Sequence, residues 1–440
     1  MPEQHRLVIL GGGFAGLYAA QALKRAPLDI TLIDRHNYHL FQPLLYQVAT
    51  GSLSPGEIAA PIRAVLNNQK NTRVLLGEAV DIDPSGKKVA LKDGATIPYD
   101  SLIVATGSQG SYFGHDEWKA WAPGLKTIED ATTIRHKILL AFEAAERTAD
   151  PLERCNWLTF VIVGAGPTGV ELAGALTEIA NETLKHDFRS IRSQDARIII
   201  VDGGQRPLAT YPEDLSKRAE KQLTRLGARV RTGVTVSGVD EDGVTLQSAN
   251  GVERISSHTV IWAAGVAVTE FARTLAKRTN AETDRAGHIK VAPDLTIPNF
   301  PDIYIVGDLA LVNDKDGKPL PGVAQVAMQT GSYAARAIAR QVAGKPPLAP
   351  FSYLNKGDLA VIGRAAAVAN IFGVHVSGFL AWLVWLFIHL MYIVEFQSRI
   401  LVLIEWGFLY LTFNRGARLI TGVAANKSIG KPEPMENLGE

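Results

Sequence analysis

The sequence predicts an α/β protein built from two copies of one strand–turn–helix unit and an apolar, helical C-terminal region. Three observations carry that prediction. Leu7-Val8-Ile9-Leu10 runs into Gly11-Gly12-Gly13-Phe14-Ala15-Gly16, and the next apolar run, Ile30-Thr31-Leu32-Ile33, ends in Asp34. The same order returns later: Phe160-Val161-Ile162-Val163, then Gly164-Ala165-Gly166-Pro167-Thr168-Gly169, then Ile198-Ile199-Ile200-Val201 ending in Asp202. Finally, residues 365–394 contain no Asp, Glu, Lys or Arg. A chain of 440 residues is also too long for one ordinary core, so more than one domain is expected.

Each glycine in the first turn has a physical reason. Gly11 permits a tight turn after the strand, Gly13 lets backbone approach a pyrophosphate, and Gly16 lets helix and strand pack closely. The helix N-terminus adds free N–H groups and a favourable dipole for phosphate. Asp34 stands where a carboxylate can accept from an adenosine ribose hydroxyl. A plain glycine turn is the bland alternative for one copy alone. Here strand, glycines, helix and acid recur in order, so each copy reads as a Rossmann-like dinucleotide-binding unit. Two such units imply two dinucleotides, and a tightly held flavin with an exchangeable nicotinamide is the obvious pair.

Composition narrows the field. The 45 basic and 44 acidic residues nearly cancel, leaving no general electrostatic reason to bind nucleic acid. Cys155 is the single cysteine, so one chain can build no disulfide, no Cys-x-x-Cys redox pair and no cysteine metal cluster. The N-terminus shows no basic region followed by a long apolar stretch. No cleavable secretory signal is therefore expected, and a reducing, cytoplasm-like compartment is.

In chain order, residues 17–24 read as the first crossover helix. Residues 36–47, rich in aromatic and amide side chains, are either a packed loop or a segment covering a cofactor. Strands are expected at 73–80 and 88–91, and at 101–104 before Ala105-Thr106-Gly107, where small residues permit close approach of a flat or phosphorylated group. A charged helix is expected over 128–153, and the second copy carries an insertion at 181–194. Strands at 229–232, 243–246 and 259–262 follow, the last ending in Ala263-Ala264-Gly265. The strand 302–306 ends in Gly307-Asp308; that Asp is either a helix cap or an acceptor for a flavin ribityl hydroxyl. A helix from 324 to about 343 stops at Gly344-Lys345-Pro346-Pro347. The expected domains are 1–115 and 269–345 for the flavin, 116–268 for the nicotinamide, and 346–440 at the membrane.

Two apolar stretches, 378–394 and 400–413, close the chain before a polar tail beyond Asn426. A buried core helix, a transmembrane hairpin and paired helices in the membrane interface all fit the composition. The first stretch is just long enough to span hydrocarbon and the second is short for it. Arg399, Arg415 and Arg418 flank the stretches and are expected to meet anionic headgroups, with Trp382, Trp385 and Trp406 at the boundary.

Over essentially its whole length the chain resembles the type II NADH dehydrogenases, single-subunit, non-proton-pumping NADH:quinone oxidoreductases of the two-dinucleotide flavoprotein superfamily. Besides the glycine turns, the resemblance rests on Tyr38-His39-Leu40-Phe41-Gln42-Pro43-Leu44-Leu45-Tyr46-Gln47, Gly166-Pro167-Thr168-Gly169-Val170-Glu171, Trp262-Ala263-Ala264-Gly265 and Ala324-Gln325-Val326-Ala327-Met328-Gln329. It implies a glutathione-reductase-like fold, non-covalent FAD, NADH as hydride donor, a membrane quinone of ubiquinone or menaquinone type as acceptor, and a homodimer. It also implies monotopic attachment to the cytoplasmic face of the inner membrane. The implied flavin contacts are Gly11, Gly12, Gly13, Phe14, Ala15, Gly16, Asp34, Arg35, Pro43, Leu44, Val80, Ala105, Thr106, Gly107, Gly307, Asp308, Ala324 and Gln325. Those implied for NADH are Gly164, Gly166, Pro167, Thr168, Gly169, Glu171, Asp202, Ala264 and Gly265.

Glu171, in the first turn of its helix, either complements the helix dipole or, as the resemblance implies, handles protons or positions substrate at the nicotinamide–flavin contact. Asp202 should disfavour the extra phosphate of NADPH, although Arg206 nearby weakens that expectation. Gln325 and Gln329 share a helix face, either solvated or in the flavin–quinone pocket that the resemblance implies. Lys356 is implied near that pocket, where it would stabilise an anionic reduced flavin. Two rival functions remain: an FAD reductase of a soluble iron–sulfur carrier, and a flavin-binding membrane-associated redox sensor. The first leaves the apolar C-terminus without a purpose, and the second is told apart by the slow turnover it predicts with every quinone despite normal flavin reduction.

Overall fold

Leu7 to Leu10 are wholly apolar because their strand is flanked on both sides in a parallel sheet, where neither face meets water. In the computed structural model, which describes residues 4–421, that strand (His5–Leu10) pairs with Leu28–Asp34 on one side and Ser101–Val104 on the other. The full sheet has the order Thr296–Ile297, Phe300–Ile305, Ser101–Val104, His5–Leu10, Leu28–Asp34, Thr72–Leu76. This sheet belongs to a unit comprising the residues through Phe41, Ala59–Ser111 and Val266–Asn355. One face buries Val8, Leu10, Leu102, Val104, Ile303 and Ile305 against Ile82, Val89, Phe271 and Leu275. Helix Phe14–Ala22 packs on helix Ala324–Val342 so closely that a Cβ on Gly331 would lie 2.1 Å from the Ala15 carbonyl oxygen.

A second unit comprises Gln42–Ile58, Tyr112–Gly265 and the residues from Lys356 onward. Its parallel sheet runs Arg229–Arg231, Arg197–Val201, Thr159–Val163, Thr259–Trp262. The repeat is therefore one of topology as well as sequence. In each unit the glycine-turn strand lies between a strand ending in the acid and a strand ending in small residues. Each unit also carries an antiparallel three-stranded sheet: Ala79–Asp83, Lys88–Leu91 and Thr96–Pro98 in the first, Thr235–Asp240, Gly243–Ser248 and Gly251–Ser256 in the second.

Several boundaries differ from the sequence expectation. The strand expected over 73–80 is two, Thr72–Leu76 and Ala79–Asp83, in different sheets; the Gly77 N–H donates to the Asp34 carbonyl as the last bond of the first. The helix expected over 128–153 divides into Ile128–Arg147, opened by a Thr127/Asp130 capping box, and Pro151–Trp157, opened by Asp150 with proline at N1. The stretch after Lys356 begins with an antiparallel sheet, Gly357–Gly363, Ala366–Ile371 and Val374–Ser377. Helix Pro167–Glu178 lies on it, with Gly174 at a point where a Cβ would sit 1.6 Å from the Ile362 carbonyl oxygen.

Helices Phe379–Tyr392 and Phe396–Thr412 follow, of 14 and 17 residues. At 1.5 Å per residue they reach about 21 and 26 Å, short of the roughly 30 Å hydrocarbon layer. Among the described residues no helix is long and apolar enough to cross a membrane. A buried core pair is also not what forms, because Phe396, Phe408 and Leu411 are 73%, 64% and 77% exposed. The polar tail expected beyond Asn426 lies outside the described residues.

Candidate functional site

Four backbone and side-chain contacts build each glycine cradle, and the two cradles match contact for contact. Gly11 N–H donates to the Ile33 carbonyl at 2.7 Å, and Gly164 N–H to that of Val201 at 2.8 Å. Ala105 N–H donates to Leu10, and Ala263 N–H to Val163. Gly12 N–H donates to Asp34 Oδ2 at 2.5 Å, and Ala165 N–H to Asp202 Oδ2 at 2.6 Å. The other carboxylate oxygens accept from His36 N–H at 2.7 Å and Gly204 N–H at 2.6 Å. Each carboxylate oxygen keeps a further lone pair, which a ribose hydroxyl can use.

The glycines separate by role. Gly11 and Gly164 hold φ of 103° and 104°, where a Cβ is strained. A Cβ on Gly16 or Gly169 would stand 1.8 Å from the carbonyl oxygen of Gly11 or Gly164. Gly13 and Gly166 are different: a Cβ there would meet no protein atom within 4 Å. Nothing in the protein demands glycine at these two positions, whereas a pyrophosphate brought against the helix N-terminus does. The residues therefore fit two dinucleotides.

In the first unit, the remaining flavin candidates gather around this cradle. Gly307 approaches Ala15, its N–H donating to Thr330 Oγ1 at 3.0 Å, and Asp308 accepts from Ser108 Oγ at 2.8 Å. Thr106 bonds Thr269 through their hydroxyls at 3.1 Å. Arg35 is exposed, and Val80 projects from the edge strand 42% exposed. Ala324 and Gln325 begin the long helix. Gln329 is committed at both amide ends, its Nε2 donating to the Leu354 carbonyl and its Oε1 accepting from Leu354 N–H, each at 3.0 Å. His39 was not singled out by sequence. It is buried, and its Nδ1–H donates to the Gly12 carbonyl at 2.9 Å, tying the aromatic segment to the turn. Burial pushes its pKa down, so the ring is neutral.

In the second unit, Pro43 and Leu44 form a single 3₁₀ turn, with Leu44 fully buried. Ala264 and Gly265 end the strand beside the second cradle, and Pro167 and Thr168 open its helix. Arg206 donates to the carbonyls of Tyr211 and Ala209, both at 2.8 Å, so its guanidinium is held by backbone rather than presented to a phosphate. Lys356 is exposed, its Nζ 3.2 Å from the Tyr392 hydroxyl.

Glu171 faces a cleft walled by Tyr46, Gln47, Glu178, Arg364, Trp382, Trp385, Trp406 and Tyr410, among others. Burial raises the Glu171 carboxyl well above the usual carboxylate range, opposed only by the Val361 backbone hydrogen bond. Glu178, two turns further along the same helix and so on the same face, is paired with Arg415 at 3.1 Å. That spacing was the available sequence signal for Glu178. Tyr46 and Gln47 lie in the aromatic segment that sequence singled out, but their meeting with Trp406 was not readable, because Gln47 and Trp406 lie over 350 residues apart.

One expectation about the C-terminus is corrected here. Arg415 does not meet headgroups: it is buried and donates to Ser52, Thr50 and Glu178. Arg418 pairs with Asp187, and Arg399 donates to the Ile393 carbonyl. Trp382, Trp385 and Trp406 line the cleft, the last two buried. A buried cation needs a buried partner, and indole rings make a stiff apolar wall.

Residues 5–331 match the family model described as pyridine nucleotide-disulphide oxidoreductase, and residues 355–413 match that of the NDH2 C-terminal domain. The chain is 47% identical to the type II NADH:quinone oxidoreductase Ndh of Mycobacterium tuberculosis, over 96% of this chain and 91% of that one. It is 46% identical to NdhA of the same organism, over 95% and 90%. In structure it is similar to NDH2 from Plasmodium falciparum, with a TM-score of 0.85 and 22% identity over 94% of this chain and 99% of that one.

Proposed function

The chain belongs to the pyridine nucleotide-disulphide oxidoreductase family and within it to the type II NADH:quinone oxidoreductases, and on that premise we propose that its first cradle holds FAD, its second receives NADH, and its aromatic cleft takes the quinone. The overall reaction oxidises NADH and reduces a quinone by two electrons. The duplicated cradle, with open space over Gly13 and Gly166, is the observation that carries this reading. When bound, FAD supplies hydride acceptance from a nicotinamide and electron delivery to a quinone.

The chain's own residues bind, orient and manage protons. Asp34 and Asp202 accept from ribose hydroxyls, and the helix N-termini at Gly13 and Gly166 meet the pyrophosphates. Asp202 repels the extra phosphate of NADPH, and Arg206 is not free to offset that repulsion. Glu171, neutral through burial, keeps a proton on its carboxyl beside the cleft, where a reduced quinone needs two. Gln329 holds the 351–355 segment through Leu354, and Lys356 supplies a cation near Tyr392.

The cleft is walled partly by the two C-terminal helices, whose other faces carry exposed Leu380, Phe387, Phe396, Phe408 and Leu411. Laid in a membrane interface on its cytoplasmic side, those faces set the cleft beside the layer in which a lipid quinone dissolves. The same apolar surface also suits a second copy of the chain, and the homodimer is checked by mass measurement in detergent. The central test reduces the purified holoprotein with NADH, then with NADPH, and times flavin reoxidation by a short-chain quinone. Fast reduction by NADH with quinone-driven reoxidation is expected; reduction without reoxidation by quinone refutes the reading.

A further inference from the structure

Among the described residues, two hydrogen-bond donors in the wall of the aromatic cleft have no acceptor. The first emerges from a chain of three residues. Trp406 Nε1–H donates to Gln47 Oε1 at 2.7 Å. Indole nitrogen is a donor only, so the Gln47 amide must present its oxygen to Trp406 and its nitrogen elsewhere. That nitrogen lies 2.9 Å from the Tyr46 hydroxyl oxygen, to which it donates. Tyr46 thus accepts from Gln47, and its own proton is left to donate, with no acceptor among the described residues. The second donor is Trp385 Nε1–H, buried and without a partner among the described residues. Tyr46 and Trp385 are 6% and 3% exposed, and both line the cleft.

The acceptors around them each already hold a donor from the protein. Glu178 accepts from Arg415 and from the Arg364 backbone N–H. The Ser52 hydroxyl accepts from Arg415, and Glu171 accepts from the Val361 backbone. Orphaned buried donors are costly, so the wall suits a ligand that brings acceptors and little else polar.

Resting on the reading of this cleft as the quinone site, we propose that Tyr46 Oη–H and Trp385 Nε1–H are the donors that grip the carbonyl oxygens of the quinone head, with Gln47 and Trp406 positioning Tyr46. Burial holds the Tyr46 hydroxyl well above its ordinary pKa, so it stays a hydrogen-bond donor and does not ionise. The same lining tells substrate from product. A quinone offers bare acceptors to both donors, whereas a hydroquinone brings two O–H groups that must share oxygens already accepting from Arg415, Arg364 and Val361. The cleft is therefore selective for the oxidised form, which helps product leave.

The test binds a short-chain 1,4-quinone, ¹³C-labelled at its carbonyls, to the oxidised full-length holoprotein and reads the carbonyl stretch by isotope-edited infrared spectroscopy. In the parent protein the band is expected below its position in detergent alone. Tyr46→Phe and Trp385→Phe should each move part of it back up and raise the KM for that quinone about fivefold to tenfold, as loss of one buried hydrogen bond does. An unmoved band in both variants overturns the donor assignment. If Trp385→Phe does not fold, Tyr46→Phe decides alone. Leu409→Trp, which fills the cleft from the C-terminal helix, separates the two claims. Loss of the bound band there, with no shift in the Tyr46 and Trp385 variants, removes the donors but keeps the site. A bound band surviving Leu409→Trp removes the cleft as the quinone site.

Discussion

Asp202 and Glu171 are both acids of the second unit, and their surroundings give them opposite work. Asp202 accepts two backbone N–H groups and stands as an acceptor at the end of its strand, beside the cradle where an adenosine ribose would lie. Replacing it with Asn keeps the shape and removes the charge, so the ratio of kcat/KM for NADPH to that for NADH should rise about tenfold, the worth of roughly 1.4 kcal/mol of relieved repulsion. An unchanged ratio would move the specificity elsewhere. Glu171, by contrast, is held protonated by burial. A carboxyl whose folded pKa lies above its unfolded value favours the fold below the unfolded pKa and loses that contribution as pH rises through the folded one. Glu171→Gln cannot ionise. It should match the parent's melting temperature in acid and exceed it by a few degrees at alkaline pH, in thermal scans of the holoprotein. Equal melting across the whole range would mean that the carboxyl is not desolvated as the structure has it. The roles of these acids were only half legible in sequence. Position after a strand marks Asp202, but the burial of Glu171 depends on Val361 and neighbours far along the chain.

The strand–turn–helix element separates protein packing from ligand contact glycine by glycine. Gly16→Ala would push a methyl group into the Gly11 carbonyl at 1.8 Å, so it should destabilise the apoprotein by about 2–3 kcal/mol, as overpacking does. Gly13→Ala meets open space and should leave the apoprotein's melting temperature unchanged while it lowers flavin retention on dilution. If Gly13→Ala retains flavin as the parent does, a pyrophosphate does not lie there. A pH effect belongs to the same sheet. Asp100 binds Arg6 through both side-chain and backbone groups, and the Arg6 guanidinium holds its carboxyl down to about 2. Because that folded pKa is depressed, the contribution is present above the ordinary carboxylate range and is lost as pH falls from there toward about 2. Asp100→Asn should flatten that part of the acid unfolding curve; an unaltered curve would assign acid lability to other groups. Elements of this kind were the most legible part of the sequence, since glycine spacing and apolar runs are local. The breaks were less so. Asp150-Pro151 was a readable helix start within 128–153, but the division of the strand at Gly77 shows only in the pairing, where Thr72–Leu76 joins one sheet and Ala79–Asp83 another.

Across the molecule, the C-terminal sequence reads as apolar all round because each of its two helices serves two surfaces. On helix Phe396–Thr412, Val402, Trp406 and Leu409 face inward or into the cleft, while Phe396, Ile400, Ile404, Phe408 and Leu411 face out at three- and four-residue spacing. Periodicity fails when both faces are apolar, which is why composition left core, spanning and interfacial readings open, and why the strands Ala366–Ile371 and Val374–Ser377 were absorbed into the same uncharged run. The outward stripe can be tested apart from the inward one. Burying one Phe or Leu side chain yields about 1.5–3 kcal/mol when complete, and interfacial insertion yields part of that. Phe396→Glu, Phe408→Glu and Leu411→Glu combined remove three such contacts and add three charges without touching the cleft wall. The triple variant should keep the parent's thermal stability and NADH-driven flavin reduction. In flotation assays with anionic vesicles it should fall from the bound to the free fraction by at least about tenfold in partition. The basic residues once expected to hold headgroups give the complementary arm. Arg415 is locked to Glu178, so Arg415→Gln should cost stability by leaving that buried carboxylate unpaired, about 3–5 kcal/mol, without changing vesicle binding by the protein that remains folded. Retained flotation of the triple variant, or release by Arg415→Gln at full stability, would reverse the assignment of these two surfaces.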